Sequence, residues 1–181
     1  PVWDTYAPLA DTARPDSWSI RFRGWVLDSR QVGLASSPVM SGASPDVADR
    51  EVEFGGIVYS TVVNPDDGRK NWIDTFSAFA ETFRDNADVT LLIKLVHHDA
   101  GRAFDLVTDM IYRPAPYRCR VVVVFGYLDD NSYRTMIAGS SFVVNSARGE
   151  GQCLPLMQFM SAGVPAIAPD HTAMAEYITV D

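Results

Sequence analysis

Cysteine and long apolar runs are scarce in this 181-residue sequence. The two cysteines, Cys119 and Cys153, are too few for a disulfide framework and lack the spacing of a zinc site. No apolar run approaches the roughly 20 residues that a membrane-spanning helix needs. We therefore expect no membrane span and a cytoplasmic location, with peripheral association at the inner face of the membrane left open.

Positively charged residues are also few. The sequence has 15 Lys and Arg residues and 23 Asp and Glu residues, which gives a net charge of -8. A general nucleic-acid binder derives much of its affinity from cations that neutralise phosphates, so this class is disfavoured. The sequence also lacks a glycine-rich phosphate fingerprint of the dinucleotide or P-loop type. A few local cations could still bind a small anionic ligand.

The chain opens with Pro1 and lacks the basic and then apolar segments of a signal peptide. We expect it to be a piece of a longer protein. Residues 1–54 are predicted to be a linker or irregular extension, because Pro1 to Asp16 and Gln31 to Arg50 show no period. The alternation of Ile20 and Phe22 with arginines predicts at most a short β element there.

Residues 55–181 show a regular alternation of strands and helices. The predicted strands are Ile57 to Val63, Val89 to Val96, Cys119 to Phe125, Ser141 to Asn145 and Ala166 to Ala168; helices are predicted around Trp72–Phe83, Phe104–Ile111, Tyr133–Ile137, Leu154–Ala162 and Ala173–Ile178. Continuously apolar strands separated by amphipathic helices predict a doubly wound α/β fold, a parallel sheet with helices on both faces.

Ligands of such sheets bind outside the carboxyl ends of the strands. The loops Asn64 to Asn71, Gly126 to Asp130 and Asn145 to Cys153 should therefore share one rim. Pro155 suits the first turn of a helix that begins at about Leu154. The free N–H groups of that turn would face the rim and could bind a diphosphate.

The run Gly149-Glu150-Gly151-Gln152-Cys153-Leu154-Pro155, with Gln158, Gly163 and Pro165 after it, resembles the signature of group 1 (family 4) retaining glycosyltransferases. The resemblance covers roughly residues 55–180. It implies the carboxy-terminal donor-binding domain of the GT-B fold, a Rossmann-like half that binds a nucleoside diphosphate sugar. In this family a first Glu, here Glu150, contacts the donor sugar, and the amides of Gly151, Gln152, Cys153 and Leu154 contact its hydroxyls and phosphates.

Two positions depart from the family pattern. Gln158 stands where a second Glu usually holds the ribose, and a neutral amide loses the charge-assisted part of that bond. Lys70 before Asn71 matches the lysine that neutralises the diphosphate, whereas the family's arginine has no clean counterpart. Arg69 could reach the phosphates or be merely solvated.

The loop that contains Tyr127 and Leu128 resembles the segment whose backbone contacts the nucleotide base. Alternatives stay open at each position: Glu150 as a solvated carboxylate near a helix dipole, Gln158 as a surface residue, and Tyr127 as an aromatic at the sheet edge. For His171 we expect a loop before a helix that Asp170 or Thr172 caps. The acidic Glu176 fits both the family pattern and a solvated helix face.

The pair His97-His98 invites a metal hypothesis, but adjacent residues of a strand point to opposite faces and cannot readily chelate one ion. The resemblance implies transfer of a hexose to a saccharide or glycoconjugate acceptor, as in polysaccharide biosynthesis, without metal or cofactor and with an amino-terminal GT-B domain that this sequence lacks. The alternative is a non-catalytic GT-B-like module that binds a nucleotide or carbohydrate.

Overall fold

A computed structural model of the chain describes residues 2–10, 13–31, 45–112, 114 and 116–178. These residues form seven β-strands and five α-helices. The strands are β1 (Ser17–Asp28), β2 (Ala48–Gly55), β3 (Ile57–Val63), β4 (Val89–Leu95), β5 (Arg120–Tyr127), β6 (Phe142–Val144) and β7 (Ala166–Ile167). The α-helices are α1 (Val2–Tyr6), α2 (Trp72–Thr82), α3 (Ala100–Tyr112), α4 (Asp130–Gly139) and α5 (Leu154–Ser161), and short 3₁₀ helices cover Ala7–Leu9, Gly68–Lys70 and Thr172–Glu176.

All seven strands belong to one sheet with the order β2-β1-β5-β4-β3-β6-β7. The five neighbouring strands β5, β4, β3, β6 and β7 are parallel. Strand β1 is antiparallel to β5, and β2 is antiparallel to β1. The predicted class, a doubly wound α/β fold with a parallel sheet and helices on both faces, is confirmed, and the antiparallel strands β1 and β2 are an addition to it. Strand β4 lies near the centre and is buried at each of its residues, as expected for a strand covered on both sides.

Two apolar layers cover the sheet. On one face Leu92, Val122 and Val124 pack with Leu156 and Phe159 of α5 and with α1 and α4. On the other face Leu91, Ile93 and Val123 pack with Phe76 and Phe79 of α2 and with α3. Alternate residues of one strand thus enter opposite cores, which is the period of an extended chain.

The amino-terminal part departs from the irregular extension that we expected. Strand β1 is 12 residues long and β2 is 8 residues long, and together they extend the sheet beyond β5. The alternation of apolar and charged residues identified the half of β1 that contains Ile20 and Phe22. In the other half Trp25 and Leu27 are buried on the opposite face, so the two-residue apolar period does not continue along the strand. The predicted loop from Gln31 to Arg50 lies mostly outside the described residues, and the domain boundaries at residue 54 stay a prediction.

Helix α5 begins and ends where its residues predict. Pro155 lies in its first turn, where a missing N–H costs no hydrogen bond. Gly163 follows the helix with a φ of 77°, a left-handed conformation that glycine adopts without steric cost.

We predict that Gly139→Ala destabilises the fold by about 1–3 kcal/mol through overpacking. A Cβ at Gly139, the last residue of α4, would lie 2.3 Å from the ring of Trp18, and that ring is buried on β1 and stacked on Phe54. Urea titration of both proteins measures the change in unfolding free energy.

The matched control is Gly101→Ala in α3, where the added Cβ would make an ordinary 3.6 Å contact. We expect that variant to be neutral or more stable by up to about 1 kcal/mol. Equal stability of the Gly139 and Gly101 variants would contradict the packing of α4 on β1.

Candidate functional site

The candidate site lies where the strand order of the parallel block reverses. Strand β3 pairs with β4 on one side and with β6 on the other. The chain leaves β3 toward α2 on one face of the sheet and leaves β6 toward α5 on the opposite face. Loops that diverge in this way leave a crevice at the carboxyl ends of the strands, the usual ligand position in such sheets.

The loops after β3 and β6 are joined by hydrogen bonds. The Arg148 N–H donates to the Arg69 carbonyl at 2.9 Å, and the Ser146 hydroxyl donates to the Asn71 carbonyl at 3.1 Å. Asn71 has a φ of 53°, a left-handed conformation that asparagine tolerates better than most residues. These contacts join the two loops to each other.

Four charged side chains of these loops form what we call the ion cluster: Asp67, Arg69, Lys70 and Glu150. Lys70 Nζ lies 2.6 Å from Glu150 Oε1, Arg69 Nη1 lies 3.3 Å from Glu150 Oε2, and Arg69 Nη2 lies 2.9 Å from Asp67 Oδ2. The hydrogen bond from Arg69 lowers the pKa of Asp67 below its usual value. The side chain of Glu150 is 4% exposed, so it is not the solvated loop carboxylate of the alternative interpretation, and a carboxylate at this depth needs partners.

Glu150 is also held from a third segment. Its N–H donates to the Thr172 hydroxyl at 3.1 Å, and its carbonyl accepts from the Ala173 N–H at 3.3 Å. We expected Thr172 or Asp170 to cap a helix, but the cap position of the 3₁₀ helix is His171, and its side chain makes no capping bond. Thr172 has a φ of 55°, which is unusual for a β-branched residue. No sequence pattern indicated this contact.

A cavity of 710 Å³ lies beside the ion cluster, above the ends of β3, β4 and β5 and between α4 and α5. Of the predicted donor-binding residues, Tyr127, Leu128 and Gln158 line it. Tyr127 is 84% exposed and Leu128 is buried. The Tyr133 hydroxyl donates to Gln158 Oε1 at 2.7 Å. This arrangement makes the amide of Gln158 part of the cavity wall.

The predicted amide segment connects the two parts of the site. Gly151 and Gln152 are exposed, Cys153 is buried just before α5, and Leu154 begins the helix. Burial raises the pKa of the Cys153 thiol, whose sulfur accepts from Asn145 Nδ2 at 3.0 Å. Arg69, Lys70 and Glu150 do not line this cavity, so the structure brings the predicted residues together as two neighbouring groups.

The histidine pair is arranged differently from our expectation. His97 and His98 lie beyond the end of β4, and their rings stack with centroids 4.6 Å apart instead of pointing to opposite faces. His97 Nε2 lies 3.1 Å from Asp66 Oδ2, and Arg102 also binds Asp66. Among the described residues, no group of three or more His, Cys, Asp or Glu side chains could hold a metal ion.

A solved glycosyltransferase structure is similar to this chain. The lipopolysaccharide outer core galactosyltransferase WaaB, in its apo form, matches 68% of the chain with a TM-score of 0.47 and 18% sequence identity. The matched region is 33% of that protein, so the chain spans about a third of its length. No protein-family model and no curated protein matches the sequence. Within the described ranges, no helix is long and apolar enough to cross a membrane.

Sequence analysis missed Lys94, a charged residue that lines the cavity. It lies near the end of β4, is 8% exposed and lines the cavity. Its Nζ donates to the Leu95 carbonyl at 2.6 Å, and burial lowers its pKa to about 8. The signal was a lysine inside the otherwise apolar run of β4, which we interpreted only as a strand.

The lowered pKa of Lys94 predicts that Lys94→Met stabilises the fold at pH 7 by about 1–3 kcal/mol. The folded-state pKa is about 8 and the ordinary value is 10.5, so the unfolded chain binds more protons between these two pH values. The unfolding free energy of the wild type should therefore rise through that window. Below pH 8 the buried ammonium imposes its full cost.

Urea titrations of wild type and Lys94→Met at pH 7, 8, 9 and 10 measure this effect. The advantage of the variant should shrink as the pH rises toward 10. Arg148→Met, which removes a side chain that is 71% exposed, should change stability by less than about 0.5 kcal/mol. A variant that is less stable than the wild type at pH 7 would contradict the prediction.

Proposed function

We propose that this chain is the nucleotide-sugar-binding part of a retaining, metal-independent glycosyltransferase. The whole enzyme would transfer a hexose from a nucleoside diphosphate sugar to a saccharide or glycoconjugate acceptor. The observation that carries the proposal is the contact between Lys70 and Glu150. These residues are 80 positions apart in the sequence. They are nevertheless in contact beside β3, where the strand order reverses, and Glu150 lies just before α5.

Lys70 is the proposed cation for the departing diphosphate. Negative charge develops on the leaving group during transfer, and a cation placed beforehand can lower the barrier by a few kcal/mol. An ammonium has three donors, so the bond to Glu150 leaves capacity for a phosphate oxygen. Lys70 is also 21% exposed, which gives an anion access to it.

Glu150 is the proposed contact for the sugar. An ionised carboxylate only accepts hydrogen bonds, and sugar hydroxyls are donors. The bonds of its backbone to Thr172 and Ala173 and its ion pairs fix the carboxylate before a ligand arrives. Such preorganisation reduces the entropic cost of binding.

The cavity suits the nucleoside half of the donor. Its walls combine apolar residues with a few polar groups, the usual composition of a small-molecule site. The exposed ring of Tyr127 offers a surface on which a base can stack, and the amide of Gln158 can bond ribose hydroxyls. The first turn of α5 lies between this cavity and the ion cluster, where a diphosphate could accept from free N–H groups.

Retention of configuration and the acceptor belong to the whole enzyme in this proposal. An acceptor must be held against the anomeric carbon, and holding two reactants together accounts for several kcal/mol of a barrier. In the family that the sequence resembles, an amino-terminal domain builds most of the acceptor side. We therefore expect this chain to bind the donor and to transfer nothing by itself.

Gln158 favours a second candidate, a non-catalytic module that binds a nucleotide or carbohydrate. The position that usually carries a carboxylate is neutral here, and the carbonyl of its amide already accepts from Tyr133. Fusing the chain to the amino-terminal domain of a GT-B enzyme of this family separates the candidates. Sugar transfer by the fusion supports the enzyme, and donor binding without transfer supports the module.

We predict that Lys70→Ala weakens donor binding by about 1–3 kcal/mol, the range for losing a charge-assisted contact. Calorimetry with UDP-glucose, GDP-mannose and ADP-glucose in excess EDTA measures the affinity and tests metal independence together. The wild type should bind one of these donors with chelator present.

Arg148→Ala is the matched control, because it removes a cation from the same rim that is 71% exposed. Its affinity should stay within about twofold of the wild type. Binding abolished by EDTA, or unchanged by Lys70→Ala, would show that another group holds the diphosphate.

A further inference from the structure

The ion cluster offers no net positive charge to an anion. Asp67 and Glu150 balance Arg69 and Lys70, and each cation lies within 3.3 Å of a carboxylate oxygen. A nucleotide sugar carries a dianionic diphosphate, and Lys70, which already shares its charge with Glu150, balances only part of that charge. The site therefore needs a further source of positive charge near the start of α5.

The Arg, Asp and His side chains that line the cavity each lie near a carboxylate or a guanidinium group. Arg23 lies 3.4 Å from Asp49, and Asp130 lies 2.9 Å from Arg134. His97 lies 3.1 Å from the carboxylate of Asp66. None of these side chains is an uncompensated cation.

Lys94 differs from these residues in its partner and its position. It occupies the floor of the cavity on β4, between Val62 of β3 and Val124 of β5 in the sheet register. Its described hydrogen bond goes to a main-chain carbonyl. Among the described residues, no ion pair with a carboxylate is found for Lys94. A buried ammonium without an anion is costly to the fold.

Lys94 and the first turn of α5 face the same space. Pro155 and Gln158 of α5 line the cavity together with Lys94. The positive end of a helix dipole and a desolvated ammonium both favour an anion in that space. The helix start by itself does not indicate a ligand. Lys94, a buried cation for which the described residues include no carboxylate partner, indicates that the ligand of this cavity is an anion.

We propose that Lys94 binds the diphosphate of the nucleotide sugar from the floor of the cavity and supplies the positive charge that the ion cluster lacks. This inference rests on the proposed function. Lys94 and Lys70 then contact the diphosphate from two sides, Lys94 from the sheet and Lys70 from the rim.

The lowered pKa of Lys94 fits this role. Burial holds the pKa near 8 in the free protein, and a bound dianion would raise it again because opposite charge favours the protonated form. The stability lost by burying the ammonium is then compensated when the ligand binds. Stability given up at a binding site in favour of function is a recurrent pattern in proteins.

The first test compares Lys94→Met and Arg23→Met in the 181-residue chain. For whichever of UDP-glucose, GDP-mannose and ADP-glucose binds the wild type most tightly, Lys94→Met should weaken the affinity about tenfold or more. Arg23 is a cation that lines the same cavity with a side chain 70% exposed, and Arg23→Met should change the affinity less than about twofold. Thermal unfolding confirms that both variants are folded.

The corresponding free nucleoside distinguishes the diphosphate from the base and ribose. Uridine, guanosine or adenosine, matched to the donor that binds, should have the same affinity for Lys94→Met and the wild type within about twofold. An equal loss for the nucleoside and the nucleotide sugar would overturn the proposal, because Lys94 would then contact the nucleoside or merely shape the cavity.

The second test is the pH dependence of donor binding, which a purely structural role would not change. At pH 9 about a tenth of Lys94 is protonated in the free wild type, so affinity should fall about tenfold from pH 7 to pH 9. This fall should be absent in Lys94→Met and kept in Arg23→Met. The other ionisable groups that face Lys94 across the cavity are Tyr6, Arg23, His97, Tyr127, Asp130 and Tyr133, and all but the substituted one are shared by the proteins compared.

The outcomes separate this inference from the proposed function. If the wild type binds none of the three nucleotide sugars, both are overturned. If it binds one and Lys94→Met binds it equally well with the same pH dependence, the role of Lys94 is overturned and the proposed function stands.

Discussion

The reversal of strand order at β3 is the constraint from which the rest of the site follows. Because β4 and β6 pair with opposite edges of β3, the chain must leave β3 and β6 toward opposite faces of the sheet. The loops that carry Lys70 and Glu150 then meet at the crevice, at the carboxyl ends of β3 and β6. A different order of the same strands would separate these two side chains, even if the local sequence around each of them were unchanged.

Buried charge is treated in two ways within this small region. Glu150 is withdrawn from water, and its ion pairs with Lys70 and Arg69 hold the carboxylate in place. Lys94 is withdrawn to a similar degree and receives a main-chain carbonyl as its described partner. The first arrangement links the loops after β3 and β6, and the second costs folding free energy. Binding of an anion would remove that second cost.

Local patterns predicted the elements well where each strand or helix is defined by its own residues. The predicted strand from Ile57 to Val63 matches β3 at both ends, and α5 begins at Leu154 as its proline indicated. The length of β1 was not predictable, because Trp25 and Leu27 of its second half enter the core that α3 covers, opposite to the core of Ile20 and Phe22, and no local period records that packing. Thr172 illustrates the same limit, since its hydroxyl contacts Glu150 from 22 residues away.

The sequence alone determined the α/β alternation, the turn of chain that starts α5, and the identity of Lys70 and Glu150 as candidate residues, because periodicity, capping and motif are properties of neighbouring residues. Only the tertiary structure decided that β1 and β2 complete the sheet, that Lys70 and Glu150 form an ion pair, and that Lys94, for which no carboxylate partner is found in the described part of the chain, lines a cavity. Strand pairing, burial and electrostatic compensation depend on residues far apart in the chain, and packing brings those residues together.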